Sequence, residues 1–478
     1  MVKPLRTRAL TLIIAATVFH GCATPAAYYH NMNSLVAAGR YGEAAAAGEQ
    51  SRQKVYGRKN ELLYHLDRGF LLHIAGSYAE SNEAFENAKR VANEHFTKSV
   101  TAEASTLLVS DNMRPYYGED FERALIHVFC ALNYVLMGRE SEALVEARQV
   151  DHFLKTLRTN YNHKSGYTED AFARYLMGMI YENQGAVNDA YISYYKALEN
   201  YDSYAAVYGV PVPKKLIADT FRTARALGFS DDVRALEKKW GKVEAPAPDA
   251  GCGEVVVIGY NGLAPVKVDS FFEISFGRAW SYVEAADVEG EEEEQVEQAR
   301  AIARNILAEE QVRMAFPKYV PAEYRVSVID ASVISNSGAA PYDDKAETVE
   351  NIGALAKTTL AGRIARVRVR TIIRAAVKFA LTHNISRSVA KNSNDELLGW
   401  LVKKTLSIAS TATELSDKRS WRSLPDTISM ARLTAPAGAC RLSLTMRDAA
   451  GAAVGTSTIE NVTVRPGKKT FIIIRAVN

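Results

Sequence analysis

The stretch that decides the fold of this chain is GMIYENQGAVNDAYISYYKAL, residues 178–198. Small residues recur in it at Gly178, Gly185, Ala190 and Ala197, and Tyr194 lies between the last two. In two antiparallel helices joined by a short turn, this spacing places small residues at the helix crossing and a glycine in the turn. We therefore predict a helical hairpin in which Tyr194 fills the gap that Gly178 leaves.

The same offsets recur along the first half of the chain. GFLLHIAGSYAESNEAFENAK, residues 69–89, carries Gly69 and Phe85 at the matching positions, and ALNYVLMGRESEALVEARQV, residues 131–150, is a third copy. With two weaker copies, turn glycines fall at positions 39, 76, 138, 185 and 228. Such hairpins are typical of tetratricopeptide (TPR) arrays, whose usual repeat is about 34 residues. The gaps between the glycines (37, 62, 47 and 43 residues) are longer.

The first half is therefore predicted to be an all-α, degenerate TPR-like solenoid over residues 31–241. Each repeat of such an array buries its apolar face only by stacking on its neighbours, and the stack forms a groove that usually holds protein segments. This pattern favours a binding function over a catalytic one.

Two inserted loops precede helices of the array and are rich in aromatic and charged residues. They are DNMRPYYGEDFER, residues 111–123, and RTNYNHKSGYTEDAFARY, residues 158–175. One interpretation is an exposed rim that contacts a partner. The other is two capped helix starts, the second capped by Thr168, whose tyrosines pack on neighbouring repeats. On the first interpretation, the candidate partner-binding residues are Arg114, Tyr116, Tyr117, Glu119, Tyr134 and Tyr167, joined by Trp421 from the second half.

The N-terminus predicts export and lipidation. Lys3, Arg6 and Arg8 precede an apolar run that is too short to span a bilayer, and the run ends in VFHGC, residues 18–22. This ending resembles a bacterial lipobox, although Phe19 and His20 depart from its usual residues. The alternative is an ordinary signal peptide with an incidental cysteine. We expect a signal peptide over 1–21, lipid on Cys22, a lipidated tether over 22–30 and an outer-membrane location facing the periplasm.

The second half is predicted to be an α+β domain over residues 252–478, after a Pro- and Gly-containing linker at 242–251. EVVVIG, residues 254–259, fits a buried strand and residues 324–334 fit a half-buried one. Long helices are expected over about 346–411. The tail, 426–478, is divided by turn-type separators and predicts a small antiparallel sheet or sandwich. Trp421 is expected to pack on this sheet or to stack on a sugar.

The long segment YYGEDFERALIHVFCALNYVLMGRESEALVEARQVDHFL, residues 116–154, resembles the central part of a family of bacterial TPR-bearing lipoproteins. GEVVVIGYNGLAPVK, residues 253–267, and DKRSWRSLPDTISMARLTAPAG, residues 417–438, resemble other parts of the same family. The family has no assigned activity. The resemblance therefore implies the layout and the envelope location, and supplies no catalytic residues.

Charge and cysteine content exclude several classes of protein. The chain has 58 Lys and Arg against 55 Asp and Glu, and loss of residues 1–21 removes three positive charges, so the formal net charge falls from +3 to zero. Nucleic-acid binders usually carry a basic surplus. Of the four cysteines, Cys252 and Cys440 are candidates for a disulfide in an oxidising compartment. We expect no metal, cofactor or nucleic acid.

The sequence shows no GxSxG, HExxH, P-loop or dinucleotide-binding motif, and we predict no enzyme. The leading hypothesis is a periplasm-facing module that binds or assembles an envelope protein through its TPR groove. The second is a peptidoglycan-binding or synthesis-regulating factor that uses Trp421 and loop tyrosines. The third is a hydrolase involving Glu119 or His163.

Overall fold

The computed structural model of this chain describes residues 25–101, 112, 114–161, 167, 169–246, 249–285, 296–297, 300, 311–335, 341–382 and 415–477. The predicted signal peptide, Cys22, His163 and most of the acidic run at 289–297 lie outside these residues. So does the part of the predicted long helices from 383 to 411.

The first half of the described chain is helical, as predicted. Its ten α-helices are α1 (Pro25–Ala37), α2 (Tyr41–Gln50), α3 (Glu61–Ile74), α4 (Tyr78–Thr101), α5 (Asp120–Leu136), α6 (Glu140–Tyr161), α7 (Ala171–Asn183), α8 (Val187–Tyr208), α9 (Lys214–Ala226) and α10 (Ser230–Trp240). A π-turn (Arg52–Tyr56) and a 3₁₀ turn (Arg58–Asn60) connect α2 to α3.

The helices pair into five hairpins, and each turn contains one of the five predicted glycines. Gly39, Gly76, Gly138, Gly185 and Gly228 all have φ between +71° and +83°. An L-residue with a side chain adopts this backbone region only at a cost, so glycine is the natural residue there. The predicted positions of all five turns are confirmed.

Close packing inside the hairpins also follows the prediction. A Cβ added to Gly178 of α7 would lie 2.3 Å from the ring of Tyr194 on α8, and one added to Gly69 of α3 would lie 2.5 Å from the ring of Phe85 on α4. Both aromatic rings are fully buried. The missing side chain of each glycine is therefore what admits the ring.

The N-terminal tether is shorter than predicted. Helix α1 begins at Pro25, and Tyr28 and Tyr29 on its first turns are buried. The phenol of Tyr56 donates to Asp67, 2.9 Å away, and packs edge-on against both tyrosines. Residues 25–30 thus belong to the helical core, and the expected tether over 22–30 is wrong for these residues.

The second half contains two four-stranded sheets and a two-stranded ribbon. The strands are β1 (Cys252–Asn261), β2 (Val266–Ser275), β3 (Gln311–Val320), β4 (Val328–Ser335), β5 (Tyr342–Lys345), β6 (Glu347–Asn351), β7 (Thr427–Pro436), β8 (Gly438–Arg447), β9 (Ala453–Val464) and β10 (Lys469–Ala476). Sheet A has the order β10-β1-β7-β6. The two-stranded ribbon of β2 and β3 is sheet B, and sheet C has the order β5-β4-β8-β9. Two helices accompany them, α11 (Phe276–Glu284) and α12 (Ile352–Thr382).

Sheet C is antiparallel throughout, as expected for the tail, whereas sheet A is mixed. β1 runs antiparallel to β7, with Val256 opposite Arg432, but parallel to β10, with Val256 opposite Phe471. The four strands predicted in the tail are all present, and they are divided between the two sheets. The predicted helix over 346 onward begins later, at Ile352, because residues 347–351 form β6 and pair with β7.

The two faces of sheet A pack against different layers. Val256, Ile258 and Tyr260 of β1 belong to the core that the helices form. Val255 and Val257 point the other way and pack with the inner residues of sheet C. This explains why EVVVIG is an unbroken apolar run: both faces of the strand are buried. The helices, sheet A and sheet C are therefore three layers, and the helices and sheet A share one hydrophobic core.

The β2–β3 ribbon packs with α11 and α12 around a smaller core of its own. Phe276, Trp280, Met314 and Ile372 are its main side chains. None of the helices in the described part of the chain has the length and apolar content needed to cross a membrane.

Candidate binding groove of the helical part

The first helices of hairpins two to four, α3, α5 and α7, form one face of the helical part, here called the inner side. There α3 and α5 contact β10, and α7 contacts β6. The side on which the sequence predicted a groove for a partner is thus in contact with sheet A. Residues 415–426, here called the inner segment, also lie against this side.

Trp421 anchors the inner segment in an aromatic pocket. Its ring centroid lies 6.3 Å from that of Phe70, 5.9 Å from that of Phe85 and 5.8 Å from that of Phe129, with the rings steeply inclined. Edge-to-face pairs of this kind are favourable beyond their buried area. Its indole nitrogen donates to Ser423 Oγ, 2.9 Å away, and the side chain is 1% exposed.

Two buried carboxyl groups on the inner helices bind the backbone of this segment. Glu122 on α5 accepts from the amide of Trp421 (2.7 Å), and Asp67 on α3 accepts from the amide of Ser423 (3.2 Å). Burial raises the pKa of Asp67. Burial and the nearby charge of Glu119 raise the pKa of Glu122 to about 7. The helices therefore hold the segment by main-chain hydrogen bonds as well as by the Trp421 pocket.

A buried ion cluster ties the same end of the helical part to the ribbon and to α12. Glu119 accepts from Lys267 Nζ of β2 (2.6 Å) and pairs with Arg363 of α12. Burial opposes ionisation of Glu119, but the two cations outweigh it and lower its pKa to about 2. Because Lys267 and Glu119 are both buried, removing one partner would leave an uncompensated charge in the interior.

A second buried cluster joins sheet A to hairpins four and five. Arg432 of β7 bonds to Glu254 of β1 (2.7 Å), to the hydroxyl of Tyr175 on α7 (2.6 Å), and to Asp219 on α9. Lys469 of β10 adds bonds to Glu254 (2.7 Å) and to Glu182 (3.1 Å). The opposite charges keep Arg432 ionised despite its burial, and its pKa is raised.

Most of the candidate partner-binding residues face the interior, which corrects the exposed-rim interpretation for them. Tyr116, Tyr167 and Trp421 are buried, and so is Glu119. Tyr116 donates to Glu122 (2.6 Å) and Tyr167 donates to Asp170 (2.7 Å). Residues that are fully enclosed by their own chain present no surface to a partner or to a glycan.

The structure agrees with the other interpretation of the two loops, capped helix starts with packed tyrosines, for Tyr116 and Tyr167. Glu119 and Glu122 form a capping box at the start of α5. Asp170 caps α7 by accepting from the amide of Ala173 (2.7 Å). The cap expected at Thr168 lies outside the described residues.

The remaining candidates are at or near the surface. Tyr117 is 43% exposed. Tyr134 is half-buried beneath the guanidinium of Arg139, 5.1 Å from its ring centroid. Arg114 contributes its carbonyl oxygen, which accepts from Arg419 (2.7 Å). Arg114 and Tyr117 lie in the loop before α5 and Tyr134 lies near its end, and none of the three lines the cleft described below.

The three cysteines in the described part of the chain form no disulfide. Cys130, Cys252 and Cys440 are free thiols, so the predicted Cys252–Cys440 bond is not formed. Cys440 instead donates to the carbonyl of Val462 (3.3 Å). Burial raises the pKa of the Cys130 thiol, which keeps it protonated and unreactive.

Glu86, Cys130 and Glu146 lie close enough together to suggest a metal site, but a cation already holds them together. The ammonium of Lys89 is 2.7 Å from Glu86 and 2.8 Å from Glu146. His127 also bonds to Glu146, at 2.9 Å. The cluster is therefore a salt-bridge network.

Four charged residues of the inner side were not predicted from the sequence: Asp67, Asp219, Glu254 and Arg432. Asp67 falls on the apolar face of α3, between buried Leu63 and Phe70, and Arg432 lies among buried residues of β7. A charged residue at an apolar position is a usable signal because such a group is almost never buried without a partner. The signal does not reveal which partner it has.

One part of the inner side is not covered. A cleft of about 320 Å³ lies between the start of α9, the β5–β6 connection and β7. Its inner wall includes Tyr175, Val349 and Met430, and charged side chains surround it: Lys214, Lys215, Asp344, Lys345, Glu347 and Arg432. We refer to it as the open cleft.

No family model matches this chain, and no curated protein matches it.

Proposed function

We propose that this chain is a lipid-anchored protein of the bacterial cell envelope that serves as a protein-binding or assembly module. In this proposal the helical part is a degenerate TPR solenoid. Its five hairpins, their glycine turns and the two glycine–aromatic contacts support this assignment. The short apolar N-terminal run that ends in Gly21-Cys22 supports the anchor.

The observation that carries the proposal is the way the inner side holds the chain's own inner segment. Helix carboxyl groups accept from its backbone amides, and an aromatic pocket takes Trp421. Main-chain hydrogen bonds supply affinity and side-chain pockets supply specificity wherever a protein surface recognises an extended peptide. The helices thus already display peptide-binding chemistry, with an intramolecular ligand.

The inner segment is a permanent part of the fold in this proposal. Truncating a buried tryptophan costs about 3–5 kcal/mol, and the inner segment also carries the buried hydrogen bonds to Asp67 and Glu122. To displace the inner segment, a partner would have to replace both the burial of Trp421 and these hydrogen bonds. Binding is therefore assigned to the open cleft, where no displacement is needed.

The proposed anchor places the helical part close to the membrane. Only two residues, Ala23 and Thr24, separate Cys22 from Pro25, where α1 begins. The three Cα-to-Cα steps from Cys22 to Pro25 reach at most about 11 Å when extended. Lipid on Cys22 would therefore hold the first hairpin next to the membrane surface and leave little freedom to move away from it.

The peptidoglycan alternative loses its main support, because Trp421 is enclosed by Phe70, Phe85 and Phe129. A glycan site would need another exposed aromatic platform. Sedimentation of the purified protein with sacculi remains the direct test of that alternative.

Affinity capture from crosslinked envelopes tests the proposal. The bait is the full chain, compared with an Ala346→Trp variant that fills the open cleft and an Ala439→Trp control on the exposed part of β8. We expect one protein to be enriched with the wild type and the control and to be lost with Ala346→Trp. Equal capture by all three baits, or recovery of cell-wall fragments alone, would contradict the assignment.

A further inference from the structure

The charge carried by residues of the inner side of the helical part changes sign along its length. Around the inner segment it is acidic, with Asp67, Glu119 and Glu122 on α3 and α5. The groups that meet these acids are basic or are backbone donors: Lys267 and Arg363 pair with Glu119, and Arg422 of the inner segment lies near Asp67. Arg422 lies over the ring of Tyr29, 4.1 Å from its centroid, and Arg419 over that of Tyr116, 5.2 Å away.

At the open cleft the balance is reversed. Four cations and two anions surround it: Lys214, Lys215, Lys345 and Arg432 against Asp344 and Glu347.

Both carboxylates that line the cleft already accept hydrogen bonds from other residues that line it. Asp344 accepts from the amide of Arg432 (2.7 Å) and from Lys215 Nζ (3.0 Å). Glu347 accepts from the amide of Lys214 (3.1 Å) at the start of α9. The guanidinium of Arg432 is satisfied from behind by Asp219 and Glu254. Within the described part of the chain, the ammonium groups of Lys214 and Lys345 have no acceptor.

The cleft also offers an apolar floor. Val349 and Met430 are buried side chains that line it, beside the ring of Tyr175. A volume of about 320 Å³ is at the small end of ligand pockets, which suits a few side chains rather than a large cofactor. An apolar floor beneath unpaired lysines fits a ligand that presents carboxylates beside an apolar side chain.

We infer that the open cleft binds an acidic segment of a partner protein, with carboxylates on Lys214 and Lys345 and an apolar side chain on Val349 and Met430. The inference rests on the proposed function and names the partner's chemistry. At hairpins two and three, acidic residues of the helices meet basic residues of the chain's own inner segment. At hairpins four and five, basic residues of the cleft would meet acidic residues of a partner.

Fluorescence anisotropy with labelled peptides tests this assignment on the full mature chain. The probes are a peptide of alternating Glu and Leu and a matched peptide of alternating Lys and Leu. The test variant is Lys214→Glu/Lys345→Glu. The control is Lys238→Glu/Lys242→Glu, which makes the same change in charge at exposed positions outside the cleft.

We expect the wild type and the control to bind the Glu/Leu peptide in preference to the Lys/Leu peptide, and the test variant to bind it about tenfold more weakly or not at all. Raising the salt concentration should weaken binding. Equal binding by the test variant and the control would overturn the inference. So would competition by free glutarate at the same concentration as the peptide, because the ligand would then be a small dicarboxylate.

The two proposals fail in different ways. If Ala346→Trp abolishes capture from envelopes but the Glu/Leu peptide does not bind, the assembly function stands and the acidic class is wrong. If the peptide binds through Lys214 and Lys345 but envelope capture is unaffected by Ala346→Trp, the chemistry of the cleft stands and the assigned role in assembly is wrong.

Discussion

Several buried charges in the described part of the chain are paired across the junction between helices and strands, but Glu350 has no cation beside it. Glu350 of β6 is fully buried, and its Oε1 accepts from the amide of Asn351 (2.8 Å). Its charged neighbour is Asp170, the buried cap of α7. Burial, followed by the charge of Asp170, raises the pKa of Glu350, and burial raises that of Asp170.

This acid pair predicts a pH-dependent stability. A carboxyl group whose pKa is raised in the folded state holds a proton that the unfolded chain releases near its ordinary value, so folding takes up a proton. The free energy of unfolding should therefore fall as the pH rises above about 4.5 and continue to fall up to the raised pKa. For one proton the slope is about 1.4 kcal/mol per pH unit.

Replacing Glu350 with Gln removes this dependence. We expect Glu350→Gln to be more stable than the wild type at about pH 8 and to lose that advantage at about pH 4, as measured by urea unfolding at both values. Glu347→Gln on the same strand is the control, since Glu347 is partly exposed. A Glu350→Gln variant whose stability differs from that of the wild type by the same amount at both pH values, or that is destabilised at the higher pH, would show that Glu350 is ionised in the fold.

The helical hairpins could be predicted from the sequence, whereas the sheets could be predicted only in part. A turn glycine and a glycine–aromatic contact act between residues that are close in sequence, so their spacing is visible. Val349, by contrast, meets Tyr201 because a strand from the second half reaches the helices, and the hydroxyl of Tyr201 donates to its carbonyl (2.7 Å). No local pattern specifies a contact of that sequence separation.

The start of α12 and the position of Trp421 show the same limit. Residues 347–351 read as helix but pair with β7, and the helix begins only after Asn351, whose side chain accepts from the amide of Ala354 (2.9 Å). An asparagine before an apolar run is a recognised start signal. Trp421 could be expected to be buried; that it enters a pocket made by α3, α4 and α5 follows from tertiary packing alone.

The glycine–aromatic contact predicts a sharp difference between two substitutions. Gly178→Ala should destabilise the protein by about 1–3 kcal/mol, because the new Cβ would meet the Tyr194 ring in a packed interior. Gly42→Ala is the control: Gly42 lies in α2 with no atom within 4 Å of an added Cβ, and alanine favours the helix by up to about 1 kcal/mol. Urea unfolding measures both, and equal effects would mean that the crossing does not depend on Gly178.

For the whole molecule, the main consequence of the fold is mutual dependence of its two parts. The helical part supplies Phe70, Phe85 and Phe129, and the second half supplies Tyr260 and Trp421 to the same aromatic core. Without the second half, the inner side of the helices would expose these rings, and Asp67 and Glu122 would each lose a backbone amide donor. The connection at 242–251 therefore joins parts that are held together by their core and ion clusters.

The measurement that tests this account most directly is native size-exclusion chromatography after the chain is cut at a protease site placed within residues 242–251. We predict that the two pieces elute together at the position of the uncut protein, because Trp421, Arg432 and Lys267 keep their partners across the cut. Separate elution of two folded pieces would contradict the account, since the inner side of the helices would then be an open groove.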